Sequence, residues 1–468
     1  MEHFEKLTLR ECLIGDRSFY RRVLTVVLPI IVQNTLSNVV SLLDNVMVGQ
    51  VGTLPMSAVA IVSQLIFVYN VSIWGCTAGA GIFGAQFFGR GDNDGVRHTL
   101  CFKLIAALVI TVVGFSLFGA FGSSLIQSYI AEDTSPADAA ATLAYAESYL
   151  DIMLIGLVPF AITQCVAGTM RESGQTVLPM KASIAAIFVN LVFNSLLIFG
   201  LLGFPALGVV GAAIATVLSR FVELGIILVS IRRNIDLYPF FRKVLSGFAL
   251  PRQLALGIMS KSLPLLANEL LWSSGQAVLL QCYSVRGLQV VAALNICATV
   301  SQIFNGIYLS MGNATAIVVG QELGADKLTN ARRTAWRMLA VTIVGCVVLG
   351  VLLAICAPFI PLIYNTEHSI RTLATELICV CAICMPLFGI ANSAYFTIRS
   401  GGKTLVTFLF DSCFSWVVSV PVAFCLSHFT AMPIVSAYFC VNALEVIKCA
   451  IGITLMKKGV WVKNIVKA

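Results

Sequence analysis

Charge is what this chain has least of. Only 11% of its residues are Asp, Glu, Lys or Arg, against 58% that are hydrophobic. A soluble domain of this length spreads charge over a wetted surface, so this composition excludes one and points to solvation mainly by lipid. Histidine is scarce as well: His3, His98, His368 and His428 are dispersed and form no catalytic or metal-ligating constellation. There is no G-x-x-x-x-G-K-[ST] loop, and no loop long enough for a nucleotide-binding domain, which excludes work driven by ATP. Cysteine is plentiful, at 15 residues, but metal spacing is not. Cys381 and Cys384 make one C-x-x-C pair inside an apolar run, where free cysteine packs as a small hydrophobe.

What is present is a series of charge-free intervals: 45–89, 104–131, 152–170, 182–219, 287–321, 338–366, 377–398 and 412–444. A run of ~20 apolar residues suffices to cross the hydrocarbon core. Several intervals are too long for one helix, and each of those holds a turn signal where a hairpin is needed: Gly49, Gly52 and Pro55 in 45–89, Gly200, Gly203, Pro205 and Gly208 in 182–219, and Pro433 after Ser427-His428 in 412–444. Twelve spans follow, at 23–47, 57–84, 99–122, 146–170, 178–200, 207–231, 257–283, 291–319, 334–357, 371–397, 403–427 and 433–456. The fold class is therefore an all-α polytopic membrane protein.

Basic residues orient the bundle, because cytoplasmic loops retain Lys and Arg. With both termini inside, all but Arg286 and Arg371 of the 30 Lys and Arg residues fall on one side. The net charge of +8 is thus explained by retention and by anionic headgroups, and no nucleic-acid partner is expected. The charged amino-terminal tail leads into a long span and reads as an uncleaved anchor in the cell's inner (plasma) membrane.

The chain also repeats itself. At an offset of 235, Leu28-Pro29 meets Leu263-Pro264, Gly52 meets Gly287, Gln86 meets Gln321 and Gly89 meets Gly324. The offset shortens to 228 where Arg171-x-x-Gly174-x-Thr176 meets Arg399-x-x-Gly402-x-Thr404, and to 222 where Glu223 meets Glu445. Both losses lie in loops, as a real duplication requires. The domain plan is a tail (1–22), a six-helix lobe (23–231), a linker (232–256), a second six-helix lobe (257–456) and a tail (457–468). Six is even, so the two pseudo-symmetric lobes form a parallel repeat, an architecture of secondary transporters working by alternating access.

These residues resemble the multidrug and toxic compound extrusion (MATE) transporters, in particular the bacterial NorM/DinF-like members. LLDNVMVGQVGTLPMSAVA is similar to that family's first-helix Asp and the turn after it. GAQFFGRGD and GQELGADK resemble its paired loops after helices 2 and 8, RESGQTVLP and RSGGKT those after helices 4 and 10, and LPLLANELLWSSG its seventh helix. The resemblance implies export of small, often cationic, amphipathic compounds in exchange for protons or sodium ions. It implies no enzyme activity and no cofactor beyond a possible sodium ion, and a monomer is expected. Two other readings stay open: a flippase for a lipid-linked saccharide, and a membrane enzyme acting on lipid headgroups.

Ionisable groups inside the membrane cost ~2.5–3.5 kcal/mol on insertion scales and default to functional candidates. Asp44 and Glu269 are the leading two. The resemblance places Asp44 in a cation site with Asn190, Asn194, Ala212 and Thr216. Asn194 stands where the family often has Asp, which weakens a sodium site, since hard cations favour anionic oxygen. The middle of span 10, which reads CAICMPLFGI, offers no acid to partner Glu269. Neutral polar residues are candidates for the cavity wall: Gln33, Asn34, Asn38, Gln64, Asn70, Gln276, Asn295, Gln302 and Asn305. Arg220 with Glu223, and Glu445 with Lys448, are expected to be matched i, i±3 ion pairs. Asp411 is expected to pair with Arg399 or Lys403.

Overall fold

The computed structural model describes residues 14–130, 135–242, 244, 250–364 and 366–467. Parts of the expected amino-terminal tail, of the outer loop after span 3 and of the linker therefore lie outside the described residues. Among those described the chain is all helical. Eleven helices are long and apolar enough to cross a membrane, and a twelfth span consists of two helices meeting at 44°.

Spans 1 to 3 are Arg17–Gly49, Thr53–Arg90 and Asn93–Gln127. Span 4 is the bent pair Pro136–Ile155 and Leu157–Glu172; spans 5 and 6 are Val177–Phe199 and Val209–Arg233. Spans 7 to 10 are Arg252–Ser284, Leu288–Gly324, Leu328–Cys356 and His368–Ser400; spans 11 and 12 are Thr404–Phe429 and Ile434–Lys458. Most run several residues past the apolar core, because a helix keeps closing its own hydrogen bonds into polar flanks. Span 4 starts earliest relative to expectation. Ser135 caps it, accepting from Asp138 N at 3.2 Å, with Pro136 in the first helical position.

The outside of the bundle is apolar. Span 9 shows Val344, Val348, Val351 and Ile355 on one stripe, each more than half exposed. In water such a stripe would be an interaction surface; here it is the face offered to lipid.

The helices cluster into two compact units. The first contains Val32–Gly84 and Asn93–Met259; the second contains Ala85–Asp92, Ser260 onward, and the described residues before Val32. These divisions depart from lobes cut at 231 and 257, because the ends of spans 1 and 2 nearest the termini pack with the second half. Phe19, Val23, Val26, Val27 and Ile30 of span 1 lie against Met311, Ala314, Ile317, Val318 and Met338. In lipid this packing contributes through van der Waals fit and small residues rather than through escape from water.

Glycine permits the closest approach. A methyl on Gly89 would meet the carbonyl carbon of Gln321 at 2.6 Å, and one on Gly324 would meet that of Gln86 at 2.5 Å. The contact is reciprocal between repeat-related residues, so the duplication read in the sequence is physically a crossing of spans 2 and 8. Gln86, fully buried, then ties down the carboxyl-terminal tail. Its Nε2 donates to Ser400 O (2.9 Å) and Lys463 O (3.3 Å), and its Oε1 accepts from Ile465 N (2.8 Å). Arg90 Nη1 reaches Val466 O at 2.6 Å, and Lys467 pairs with Asp326 at 2.7 Å. Trp461 is wholly buried beneath that strap.

Candidate functional site

In the first unit, Asn190 and Asn194 sit one turn apart on span 5, so both amides share a face. Asn194 Nδ2 donates to Asp44 Oδ1 at 2.6 Å and to Asn190 Oδ1 at 3.2 Å; Asn190 Nδ2 donates to Thr216 Oγ1 at 3.4 Å. Three spans thus converge on one half-buried carboxylate. Asp44 has no ion pair among the described residues. Asn194 is 1% exposed, and its Oδ1 is buried without a hydrogen-bond partner among the described residues. Such an orphaned acceptor is costly unless something occupies it part of the time. Turning the amide over would present Oδ1, in place of Nδ2, to Asp44. Carboxylate, amide and hydroxyl oxygens from Asp44, Asn190, Asn194 and Thr216 make a hard donor set, so these residues fit a sodium ion as well as a proton. Ala212 is buried and brings no side-chain oxygen.

A second polar chain lies in the same unit. Gln33 Nε2 donates to Ser183 Oγ at 2.7 Å, Ser183 Oγ donates to Glu223, and Arg171 Nη1 reaches Gln33 Oε1 at 3.5 Å. Arg220 and Glu223 do not form the ion pair their spacing predicts. Span 4 breaks at Gly156, and Arg220 Nη1 bonds that residue's carbonyl at 3.0 Å while its guanidinium covers the Phe160 ring at 5.1 Å. The kink has taken the cation away from the carboxylate.

In the second unit, Lys448 Nζ lies 3.0 Å from Glu445 Oε1 and 3.1 Å from Asp411 Oδ1. Asp411 pairs with Lys448 and not with Arg399 or Lys403. Span 11 winds with wide π-type turns at Leu409–Cys413, which holds Asp411, and at Ser415–Ser419. Asn268 Nδ2 holds Asp411 Oδ2 at 3.2 Å and lies 3.3 Å from Tyr395 Oη. Ser412 Oγ donates to Asn268 Oδ1 at 2.8 Å. Glu269, beside Asn268, is half-buried and makes no ion pair among the described residues. The charges that act on it are Arg399 and Asp411.

The neutral candidates divide by position. Gln33, Asn34, Asn38, Asn70 and Asn305 are half-buried, whereas Gln64, Gln276, Asn295 and Gln302 are exposed. Asn268 and Ser183 were not anticipated. The repeat carried the signal: at offsets 235, 228 and 222, Gln33 meets Asn268, Ser183 meets Asp411 and Glu223 meets Glu445. Each unit therefore builds the same polar junction from its first, fifth and sixth spans.

Known proteins share this fold and family signature. The profile of the family described as MatE matches residues 29–196 and 264–425, one stretch in each half. A probable multidrug resistance protein, YoeA of Bacillus subtilis, is 24% identical, over 90% of each chain. A probable multidrug resistance protein, NorM of Thermotoga maritima, is 21% identical over 95% of this chain and 94% of its own. Among solved structures, a Vibrio cholerae MATE transporter superposes with a TM-score of 0.84 at 16% identity, covering 96% of this chain and 98% of that one. An outward-facing multidrug resistance MATE transporter gives 0.82 at 17% identity, with 97% and 99% covered.

Proposed function

Because the chain belongs to the MatE family, we propose that it exports small amphipathic organic compounds, often cationic, in exchange for protons or sodium ions. It does so from the inner membrane as a single chain with both termini in the cytoplasm. Its similarity to probable multidrug resistance proteins supports the cargo class. The distribution of Lys and Arg supports the orientation. One observation carries the coupling: a half-buried carboxylate, Asp44, without a counter-cation among the described residues, beside an amide with one oxygen unsatisfied.

The residues perform the exchange as follows. An ionised Asp44 accepts from Asn194 Nδ2, and Asn190 and Thr216 hold that amide in register. A proton arriving at the Asp44 carboxyl removes the charge and makes it a donor, and the turned-over amide answers with Oδ1. A sodium ion, when bound, would supply the same unit of positive charge to those oxygens. Neutralising Asp44 removes a cost of ~2.5–3.5 kcal/mol for charge in the membrane, enough to shift a two-state equilibrium ~100-fold. In the second unit Glu269, with no ion pair among the described residues, offers its carboxylate to a cationic cargo.

The test is efflux of ethidium or norfloxacin from cells expressing the chain, with Asp44→Asn and Glu269→Gln compared. Each change should reduce efflux at least tenfold. Proteoliposomes with an imposed pH gradient or an imposed sodium gradient identify the ion. Normal transport by both variants would refute the coupling assignment.

A further inference from the structure

The two polar junctions are copies of one another, and they differ in charge in a particular way. The first unit has Asn34, Ser183 and Ile226 where the second has Glu269, Asp411 and Lys448; Glu223 and Glu445 are common to both. The second half thus carries two carboxylates and one ammonium at places where the first has none. These groups are not equivalent. Asp411 has both oxygens committed, Oδ1 to Lys448 Nζ and Oδ2 to Asn268 Nδ2. Lys448, with 8% of its side chain exposed, is bracketed by Asp411 and Glu445, and the ring of Phe414 lies 5.6 Å from Nζ. Two carboxylates and an aromatic face are what a small monovalent cation would meet there. Glu269 alone has no bonded cation among the described residues.

We infer that Lys448 is a positioning residue that acts as the resident cation of the second unit. It keeps Asp411 and Glu445 occupied and leaves Glu269 as the single carboxylate open to exchange. This rests on the exporter reading above and specifies which acids of the second unit take part. The physical reason is desolvation: an acid pair deep in a membrane protein needs a positive charge, and a tethered one cannot leave. A mobile ion at the same place would be exchanged in every cycle, and a lysine removes that event.

The inference is tested by sodium titration of the melting midpoint of purified protein, with choline chloride holding ionic strength constant. All proteins carry Asp44→Asn, which silences the first unit. In the Lys448→Met variant the vacated place should be filled by sodium, and half of the effect should come at a concentration about tenfold lower than in the parent. Lys448→Arg should behave as the parent. The double variant Asp411→Ser with Lys448→Ile gives the second junction the first one's residues at those two positions and leaves Glu269 in place, so it should fold and respond to sodium as the parent does. A response of Lys448→Met equal to the parent's overturns the assignment. If that variant does not fold, the double variant decides: a parental response supports the assignment, whereas an altered response or failure to fold overturns it. Because the readout is binding and not transport, its failure is separable from failure of the efflux experiment with Asp44 and Glu269.

Discussion

Replacing Gly89 with alanine puts a methyl group against the backbone of Gln321, at 2.6 Å from its carbonyl carbon and 2.7 Å from its Cα. The carbonyl oxygen of Gln321 lies closer still than its carbon, so the shortfall from an ordinary 3.4 Å contact is more than about 0.8 Å. The obstacle is helix backbone, not the free end of a side chain, so spans 2 and 8 must separate. Overpacking of this kind costs about 1–3 kcal/mol, and a rigid neighbour places it near 2–3. That range is a factor of about 30–140 in the population of the closed crossing. Hydrogen exchange read by mass spectrometry should show amides of 84–92 and 320–326 exchanging faster by that order. Gly324→Ala should do the same from the other side, against Gln86. The double variant should cost less than the sum, because one separation relieves both clashes. Gly119, in span 3, has nothing within 4 Å of its added methyl and is the control. Its alanine variant should be neutral or slightly stabilising, since alanine favours helix by about 0.8–1.0 kcal/mol over glycine. If Gly89→Ala exchanges no faster than Gly119→Ala, the crossing is not where these helices meet.

Other outcomes follow from the same contacts. Asn194→Leu removes the 2.6 Å donor to Asp44 while keeping the side chain's shape. It should destabilise the protein by about 1–3 kcal/mol in a denaturation series and abolish ion-driven transport. Gln86→Leu leaves the fully buried position filled but severs three bonds to the rest of the second unit, two of them to the tail. Limited proteolysis should then release the carboxyl terminus at least tenfold faster. Asp326 lies outside the spans, and its bond to Lys467 holds its carboxyl below the usual carboxylate range. A depressed pKa gives a contribution that is complete above the unfolded value and lost only as pH falls through the folded one. The tail's attachment should therefore not change between pH 5 and 8, and Asp326→Asn should leave the pH profile of transport in that window unaltered.

Much of the fold was legible because lipid imposes a simple rule: each span satisfies its own backbone and shows an apolar face, so composition and charge suffice to count and orient spans. The twelve spans and the duplication were readable on that basis, and Leu28-Pro29 against Leu263-Pro264 was enough to set the first offset. Asp44, Asn190, Asn194 and Thr216 were legible as a group through resemblance, and the structure brings them together. Span ends were less so, as Ser135 and Pro136 show, because capping and helix extension into polar flanks leave little trace in hydropathy. The i, i±3 rule succeeded for Glu445 with Lys448 and failed for Arg220 with Glu223. Spacing says which side chains can meet, but the Gly156 carbonyl at the bend in span 4 and the Phe160 ring compete for the guanidinium.

By itself, then, the order of residues determined that this chain lives in a membrane, how many times it crosses and that its halves share an ancestor. Those properties depend on sums along the chain, which neighbours in space cannot alter. Only tertiary structure decided that Lys448 belongs to Asp411 as well as Glu445, that Gln86 anchors a tail hundreds of residues away, and that Asn194 has an oxygen with no partner among the described residues. Each depends on a distance between helices, set by packing of small residues and by kinks, and no local pattern encodes it.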